Sequence, residues 1–217
     1  MKKLACFVIL FIPGFVTAQS VFLTDQTGPY EIVPVEAAPE VQTSFLGELT
    51  GFPIMYELST DRPFVLQASV RQLANKKNES FSLIVIRQND RGGGVTEVGR
   101  MNISPDAWPR ARDGVAGLSF AESPSITTEV DAGIYRIEVS TPENAGKYQL
   151  LVGEQEVVQP YFDRLVDTRL IQQFFGYGPI AMIGSRLVYM PIFVLLLLYV
   201  VYRIARSYMR IQATARE

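Results

Sequence analysis

Residues Val130 to Gly153 read VDAGIYRIEVSTPENAGKYQLLVG, and how this stretch folds decides the fold of the chain. In IYRIEVS, the residues Tyr135, Ile137 and Val139 alternate with Arg136, Glu138 and Ser140. A strand would put the first three on one face, because successive side chains of a strand point to opposite sides. Tyr148, Leu150 and Val152 repeat the alternation after a polar bend, and Gly133 and Gly146 supply permissive backbone where the chain turns. The stretch predicts a hairpin whose six inward residues line a core. An aromatic-rich ligand face is the rival reading, but tyrosine among aliphatics in strict alternation is the composition of packed interiors.

Working outward, similar short runs recur: Tyr30 to Val35, Ser44 to Leu49, Ile54 to Leu58, Phe64 to Arg71, Phe81 to Arg87, Val98 to Ile103 and Ile126 to Val130. Between them lie turn sequences such as Thr60-Asp61-Arg62-Pro63 and Gln88-Asn89-Asp90-Arg91-Gly92-Gly93-Gly94. With the two strands of the opening stretch, nine short strands separated by turn chemistry predict an all-β fold, an antiparallel, jelly-roll-like β-sandwich.

The motif DAGIYRIEVSTPENAGKYQLLVG resembles the closing strands of the bacterial pre-peptidase C-terminal type of β-sandwich, where a G-x-Y-x-(apolar)-x-V strand precedes G-x-Y-x-L-x-V. The upstream GELTGFPIMYELSTDRPFVLQASV is similar to the opening strands of that group, so the resemblance spans Ser44 to Gly153. A sandwich followed by an amphipathic segment and one membrane span is similar to the layout of single-pass prokaryotic envelope proteins. The resemblance implies a fold and an address. It also implies an accessory module without catalytic residues, although no peptidase accompanies the sandwich in this chain.

The two ends carry the address. Lys2 and Lys3 precede an apolar run from Leu4 to Val16, and small residues follow; residues 1–18 are expected to be a signal peptide cleaved after Ala18. Near the other end LVYMPIFVLLLLYVVY, Leu187 to Tyr202, holds no charge. From Arg186 to Arg203 it would give about 27 Å of helix, close to the hydrocarbon thickness of a bilayer. Four consecutive leucines beside Tyr-Val-Val-Tyr leave no polar face for a soluble helix, and Pro191 would kink the span. We assign 180–203 to the transmembrane helix and 204–217 to a basic tail. Arg186, Arg203, Arg206 and Arg210 flank the membrane, and the excess of arginine after the span predicts a cytoplasmic C-terminus with the sandwich outside, periplasmic or extracellular.

Composition removes much chemistry. Histidine is absent and Cys6, the one cysteine, lies in the signal segment, so Cys/His metal sites, Ser/His/Asp triads and a disulfide in the mature chain are not expected. Residues 19–179 carry 21 acidic and 13 basic side chains, a balance that argues against nucleic acid as a partner. Glu48, Glu57, Asp61, Asp90, Asp106, Asp113 and Asp131 are the remaining candidates for acid-base catalysis, but no spacing selects a pair. No enzyme activity, cofactor or metal is expected, and calcium in a loop has no motif to support it.

Two segments stand apart from the strand pattern. Residues 104–125 read as one long irregular loop, where Trp108, the only tryptophan, lies near Arg110 and Arg112. These three form the candidate partner-binding set, since tryptophan with arginine is the composition of interface hot spots; the alternative is that Trp108 caps the sandwich. Residues 154–179 are a juxtamembrane segment in which Phe162, Leu165, Val166, Leu170 and Phe174 fall on one helical stripe, with Asp163, Asp167 and Gln173 off it. Such a helix would lie along the membrane surface or pack beneath the sandwich. The expected body is therefore residues 19–153, a membrane-tethered, non-catalytic binding or assembly module of the cell envelope. Its expected partners are the lipid bilayer and an envelope protein or glycan. The alternative is an accessory subunit of a membrane complex, recognised through its transmembrane and juxtamembrane helices.

Overall fold

A computed structural model describes residues 20–24, 28–29, 31–74, 79–89, 93–101, 104–155 and 157–214, with side chains up to residue 207 apart from 105. The expected signal peptide and Asp90 lie outside the described residues.

Twelve strands form two facing sheets among the described residues. They are β1 (Ser20–Leu23), β2 (Ile32–Pro34), β3 (Thr43–Thr50), β4 (Ile54–Thr60), β5 (Phe64–Leu73), β6 (Ser82–Gln88), β7 (Val95–Met101), β8 (Arg110–Asp113), β9 (Leu118–Glu122), β10 (Ile126–Val130), β11 (Gly133–Ser140) and β12 (Ala145–Val152). The larger sheet runs β1-β3-β12-β5-β9-β8, with β10 also paired to β5; the smaller runs β2-β4-β11-β6-β7. Both sheets are antiparallel except at β1 with β3 and β2 with β4, which are parallel. In each parallel pair the intervening strand lies in the opposite sheet, so the chain crosses the sandwich and returns in its original direction.

The opening stretch corrects one detail and keeps its core. Strands β11 and β12 do not pair with each other: β11 lies between β4 and β6, and β12 between β3 and β5. The bend joining them is a crossover between the two sheets, not a hairpin loop. It is tied by Thr141, whose hydroxyl accepts from the Ala145 amide at 2.9 Å, and by Asn144 in the left-handed region at φ 47°. The six inward residues Tyr135, Ile137, Val139, Tyr148, Leu150 and Val152 then meet across the interior, all buried, with Phe45, Tyr56, Leu66, Leu83 and Val85. Gly47 is required here, because a Cβ at that position would lie 2.5 Å from the Tyr148 hydroxyl and ring. That close approach lets Tyr148 and Tyr56 join hydroxyls at 2.9 Å inside the core, and Tyr56 in turn meets Thr24 at 3.0 Å.

A third layer completes the body. Helix α1 (Tyr161–Phe174) packs on the outer face of the larger sheet, where Leu46, Leu73, Ala116, Leu118 and Phe120 form a second apolar cluster with Ile171 and Phe175. This covering explains why β3, β5 and β12 are buried on both faces. The helical stripe expected from the sequence is only partly the packed one. Leu170 and Phe174 touch the second cluster, but Phe162 and Val166 are 75% and 66% exposed, while Arg164, Thr168 and Gln172 are buried. The reason is local: the buried polar residues Arg164, Thr168 and Gln172 recur at i, i+4 and i+8 on one face of α1, and the last of them donates to the Ala116 carbonyl of a sheet turn.

After Gly176 (φ 83°) a 3-10 turn spans Pro179–Gly184, and α2 runs from Arg186 to Thr214. The span assigned to 180–203 therefore divides: its first residues form the 3-10 turn, and the helix itself continues past 203 without a break. Within α2, residues Arg186–Ser207 are long and apolar enough to cross a membrane, and 6% of that window is buried.

Candidate functional site

Residues 104–125, expected to be one irregular loop, contain a 3-10 turn (Pro105–Ala107) and strands β8 and β9. Trp108 is 3% exposed and belongs to the main core, so its indole packs the interior of the sandwich. Arg110 and Arg112 are exposed on β8, separated from the tryptophan's buried environment. The structure thus splits this candidate set, and it brings Arg112 to a different neighbour, the head of α2.

The junction is built around the four-residue turn between β8 and β9. Asp113 shapes it: its Oδ1 accepts from the amides of Val115 (2.8 Å) and Ala116 (2.9 Å), and its carbonyl accepts from Gly117 at 2.8 Å. Gly117 adopts φ +69°, and a Cβ there would lie 2.7 Å from the carbonyl carbon of Gly184, so only glycine permits the contact. Three carbonyls of the turn are then claimed by α1 and by the head of α2. The Arg186 amide donates to Gly114 O at 2.7 Å, the Ser185 hydroxyl to Val115 O at 2.5 Å, and Gln172 Nε2 of α1 to Ala116 O at 2.8 Å. Ser185 and Gln172 are fully buried. Ser185 also caps α2, its Oγ accepting from the Leu187 amide at 3.2 Å.

From the turn a polar line runs into the outer face of the larger sheet. Asp113 Oδ2 pairs with Arg71 at 3.1 Å; Arg71 Nε donates to Gln149 Oε1 at 2.7 Å, and Gln149 Nε2 donates to Ser44. The Arg71 guanidinium stacks 4.4 Å from the Phe120 ring. Strands β3, β12, β5, β9 and β8 are thereby connected to the first turn of α2 through groups that are largely removed from solvent. Such groups hold position because breaking one leaves its partner unsatisfied.

Further contacts fix α1 in place. Lys147 Nζ donates to Phe174 O at 3.0 Å, and Arg169 Nη1 to Tyr177 O at 3.0 Å. At its start, Gln159 accepts from Ser20 and donates to Asp167 at 3.3 Å, tying β1 to the helix. Partial burial holds the Asp167 carboxyl above its usual range; the Gln159 hydrogen bond opposes this, Asp163 adds to it, and the Val21 amide opposes it.

The carboxylates considered for catalysis are dispersed. Glu57 pairs with Arg136 at 2.9 Å, Glu48 with Lys147 at 3.3 Å, Asp131 with Arg87 at 3.7 Å, and Asp113 is committed as above. Asp61 and Asp106 are exposed in turns. Among the described residues no three acidic side chains converge as metal ligands would. The clefts at the β4–β5 turn, about 400 Å3 beside Phe64 and Asp131 and about 520 Å3 beside Asp61 and Arg62, are shallow and open. Of the membrane-flanking arginines, Arg186, Arg203 and Arg206 are exposed on α2; the Arg210 side chain lies outside the described residues.

No protein-family model matches the chain, and no curated protein matches it. Two solved structures are similar to its sandwich. One is the pre-peptidase C-terminal domain of a collagenase from Bacillus anthracis, at 11% identity and a TM-score of 0.35, covering 58% of this chain and 98% of that one. The other is the Yersinia pseudotuberculosis-derived mitogen, at 15% identity and a TM-score of 0.36, covering 53% and 87%. The likeness is one of general architecture.

Proposed function

We propose that the chain is a membrane-tethered β-sandwich held outside the cytoplasm, a non-catalytic binding or assembly module of a cell envelope, anchored by α2 with its basic tail on the cytoplasmic side. The observation that carries this reading is the junction. The first turn of an apolar helix is bonded directly to the β8–β9 turn, so the sandwich is fixed in attitude at the membrane instead of swinging on a linker. A module built this way offers the same surfaces at a set height and tilt, which suits assembly with other envelope components.

One observation favours the second reading, an accessory subunit of a membrane complex. Phe162 and Val166 on α1, and Ile180 and Ile183 in the 3-10 turn, are exposed apolar side chains next to the span, a surface a neighbouring membrane protein could cover.

Protease added to intact spheroplasts is expected to degrade the sandwich and spare a tag after residue 217, with the chain retained in carbonate-washed membranes. A protected sandwich overturns the orientation, and release by carbonate overturns the span. Photocrosslinking from position 162 and from position 110 in native membranes separates the two readings: protein adducts at 162 alone favour the accessory subunit, and adducts at 110 the binding module.

A further inference from the structure

The junction brings Arg112 near the head of α2, where Arg186 stands, with Arg110 two residues earlier on β8. The Arg112 guanidinium reaches Gly184 O at 3.4 Å, two residues before Arg186, while the Arg186 amide bonds Gly114 O, two residues after Arg112. This reciprocal contact brings the end of β8 and the head of α2 side by side. Arg110 shares its strand face with Arg112, because residues two apart on a strand point the same way. All three side chains are exposed, and none makes an ion pair among the described residues. The nearest carboxylate in sequence, Asp113, is turned to Arg71 and to the turn amides.

Arg186 is also the first residue of a 29-residue helix, the end where the aligned peptide dipoles place partial positive charge. A cation there is unfavourable unless an anion joins it. The amides of that end are already occupied by Gly114 and Ser185, so an anion would be held by the arginine side chains. Around the cluster lie Ile183 and Tyr189, both exposed, and then the apolar length of α2. Cations at the boundary between a polar body and an apolar helix meet the phosphates of a bilayer surface, and guanidinium is suited to phosphate through paired N–H donors.

We infer that Arg112 and Arg186, with Arg110 beside them, form a site for the phosphate of an anionic phospholipid in the leaflet on which the sandwich stands. The inference rests on the membrane reading above and gives it chemical content: the junction selects lipid by headgroup charge.

The test uses the full chain with a photoreactive benzoylphenylalanine at position 189, reconstituted in nanodiscs of phosphatidylcholine and phosphatidylglycerol at equal mole fraction. Lipid adducts of the peptide are counted by mass spectrometry. The site predicts phosphatidylglycerol adducts in excess over phosphatidylcholine, falling about five-fold for Arg112→Gln or Arg186→Gln, the effect of one basic side chain at an anionic surface. Arg203→Gln, at the far end of the span, leaves the excess unchanged. Circular dichroism verifies that each variant is folded. Adducts at parity in the wild-type chain, or an excess untouched by both substitutions, overturn the site while leaving the span in place. An excess abolished by inorganic phosphate but not by chloride at equal ionic strength shows a free-phosphate site and overturns the lipid assignment. Absence of any lipid adduct overturns the membrane reading itself and the site with it.

Discussion

The Tyr161 hydroxyl donates to the carbonyl of Leu187 at 2.7 Å, and Leu187 is the residue four before Pro191. A proline inside a helix has no N–H for the carbonyl one turn back, so that oxygen loses its partner. Tyrosine from the first turn of α1 supplies the missing donor. The proline inside α2 thereby creates an attachment point between the two helices. Tyr161→Phe is expected to cost about 1 kcal/mol, the net worth of one such bond. In a Pro191→Ala background, where the restored backbone amide at position 191 can serve the Leu187 carbonyl, most of that cost should vanish. A double-mutant cycle on thermal unfolding in detergent measures the difference, and equal costs in both backgrounds would show that the bond does not serve the orphan carbonyl.

Gly117 tests whether the turn positions α2. Gly117→Ala demands positive φ from a residue that resists it and pushes a methyl against the Gly184 backbone, an expected cost of about 1–3 kcal/mol. Hydrogen exchange should rise in residues 114–117 and 185–189 and stay slow in β11 and β12. Gly114→Ala, where a Cβ would meet nothing within 4 Å, is the near-neutral control.

Asp113 joins two roles that substitution can separate. Asp113→Asn retains an acceptor for the Val115 and Ala116 amides but loses the charge opposite Arg71; Asp113→Ala loses both. The alanine variant is expected to lose about 2–3 kcal/mol, because Arg71 is left partly buried without its counter-ion and two amides lose their acceptor. The asparagine variant should lie between it and the wild type in chemical denaturation.

Alkaline stability should report the buried tyrosine pair. Burial pushes the Tyr56 hydroxyl up to about 12 against hydrogen bonds from Thr24 and Tyr148, and burial also raises Tyr148 well above its ordinary value, with Tyr56 adding to the rise. Below about pH 10 both states of the chain keep these protons, so the pair does not make stability depend on pH. Above that value the unfolded chain releases its protons first. Stability should then fall through pH 10 to about 12 at a limiting slope of about 1.4 kcal/mol per pH unit for each tyrosine. Tyr56→Phe should make the decline shallower in unfolding titrations, and an unchanged slope would count against the burial of this group.

Trp108 offers an intrinsic reporter. Buried in the main core, it should emit in the blue and shift to the red on unfolding. Trp108→Ala should destabilise the sandwich by about 3–5 kcal/mol through the cavity left behind. Trp108→Phe should cost less. An alanine variant as stable as the wild type would return the indole to the surface and revive its role in partner contact.

The interior was readable because Tyr135, Ile137, Val139, Tyr148, Leu150 and Val152 obey a period of two, which is imposed by strand geometry itself. Strands β8 and β9 were hidden for the opposite reason. Arg110 to Asp113 reads RARD, with no apolar alternation, since β8 is an edge strand and its partner β9 is short. Which strands pair across the bend at residues 141–144 also escaped, because a hairpin and a crossover share the same turn residues. The junction was not legible as a site: its bonds run mainly to backbone carbonyls, which every residue carries, and Ser185, Gln172 and Gly117 stand in no motif. Glycine and serine near the start of an apolar helix were the sole hint.

The helix laid over the larger sheet has a bearing on biogenesis. A ribosome delivers β12 before α1, so a nascent chain has every strand available while the outer face around Leu46, Leu118 and Phe120 is still bare. The segment that covers this face is the last to emerge before α2, the long apolar helix. Completion of the globule and emergence of the long apolar helix thus fall within the same few seconds of synthesis, and a holdase guarding that bare face would have to leave as that helix arrives.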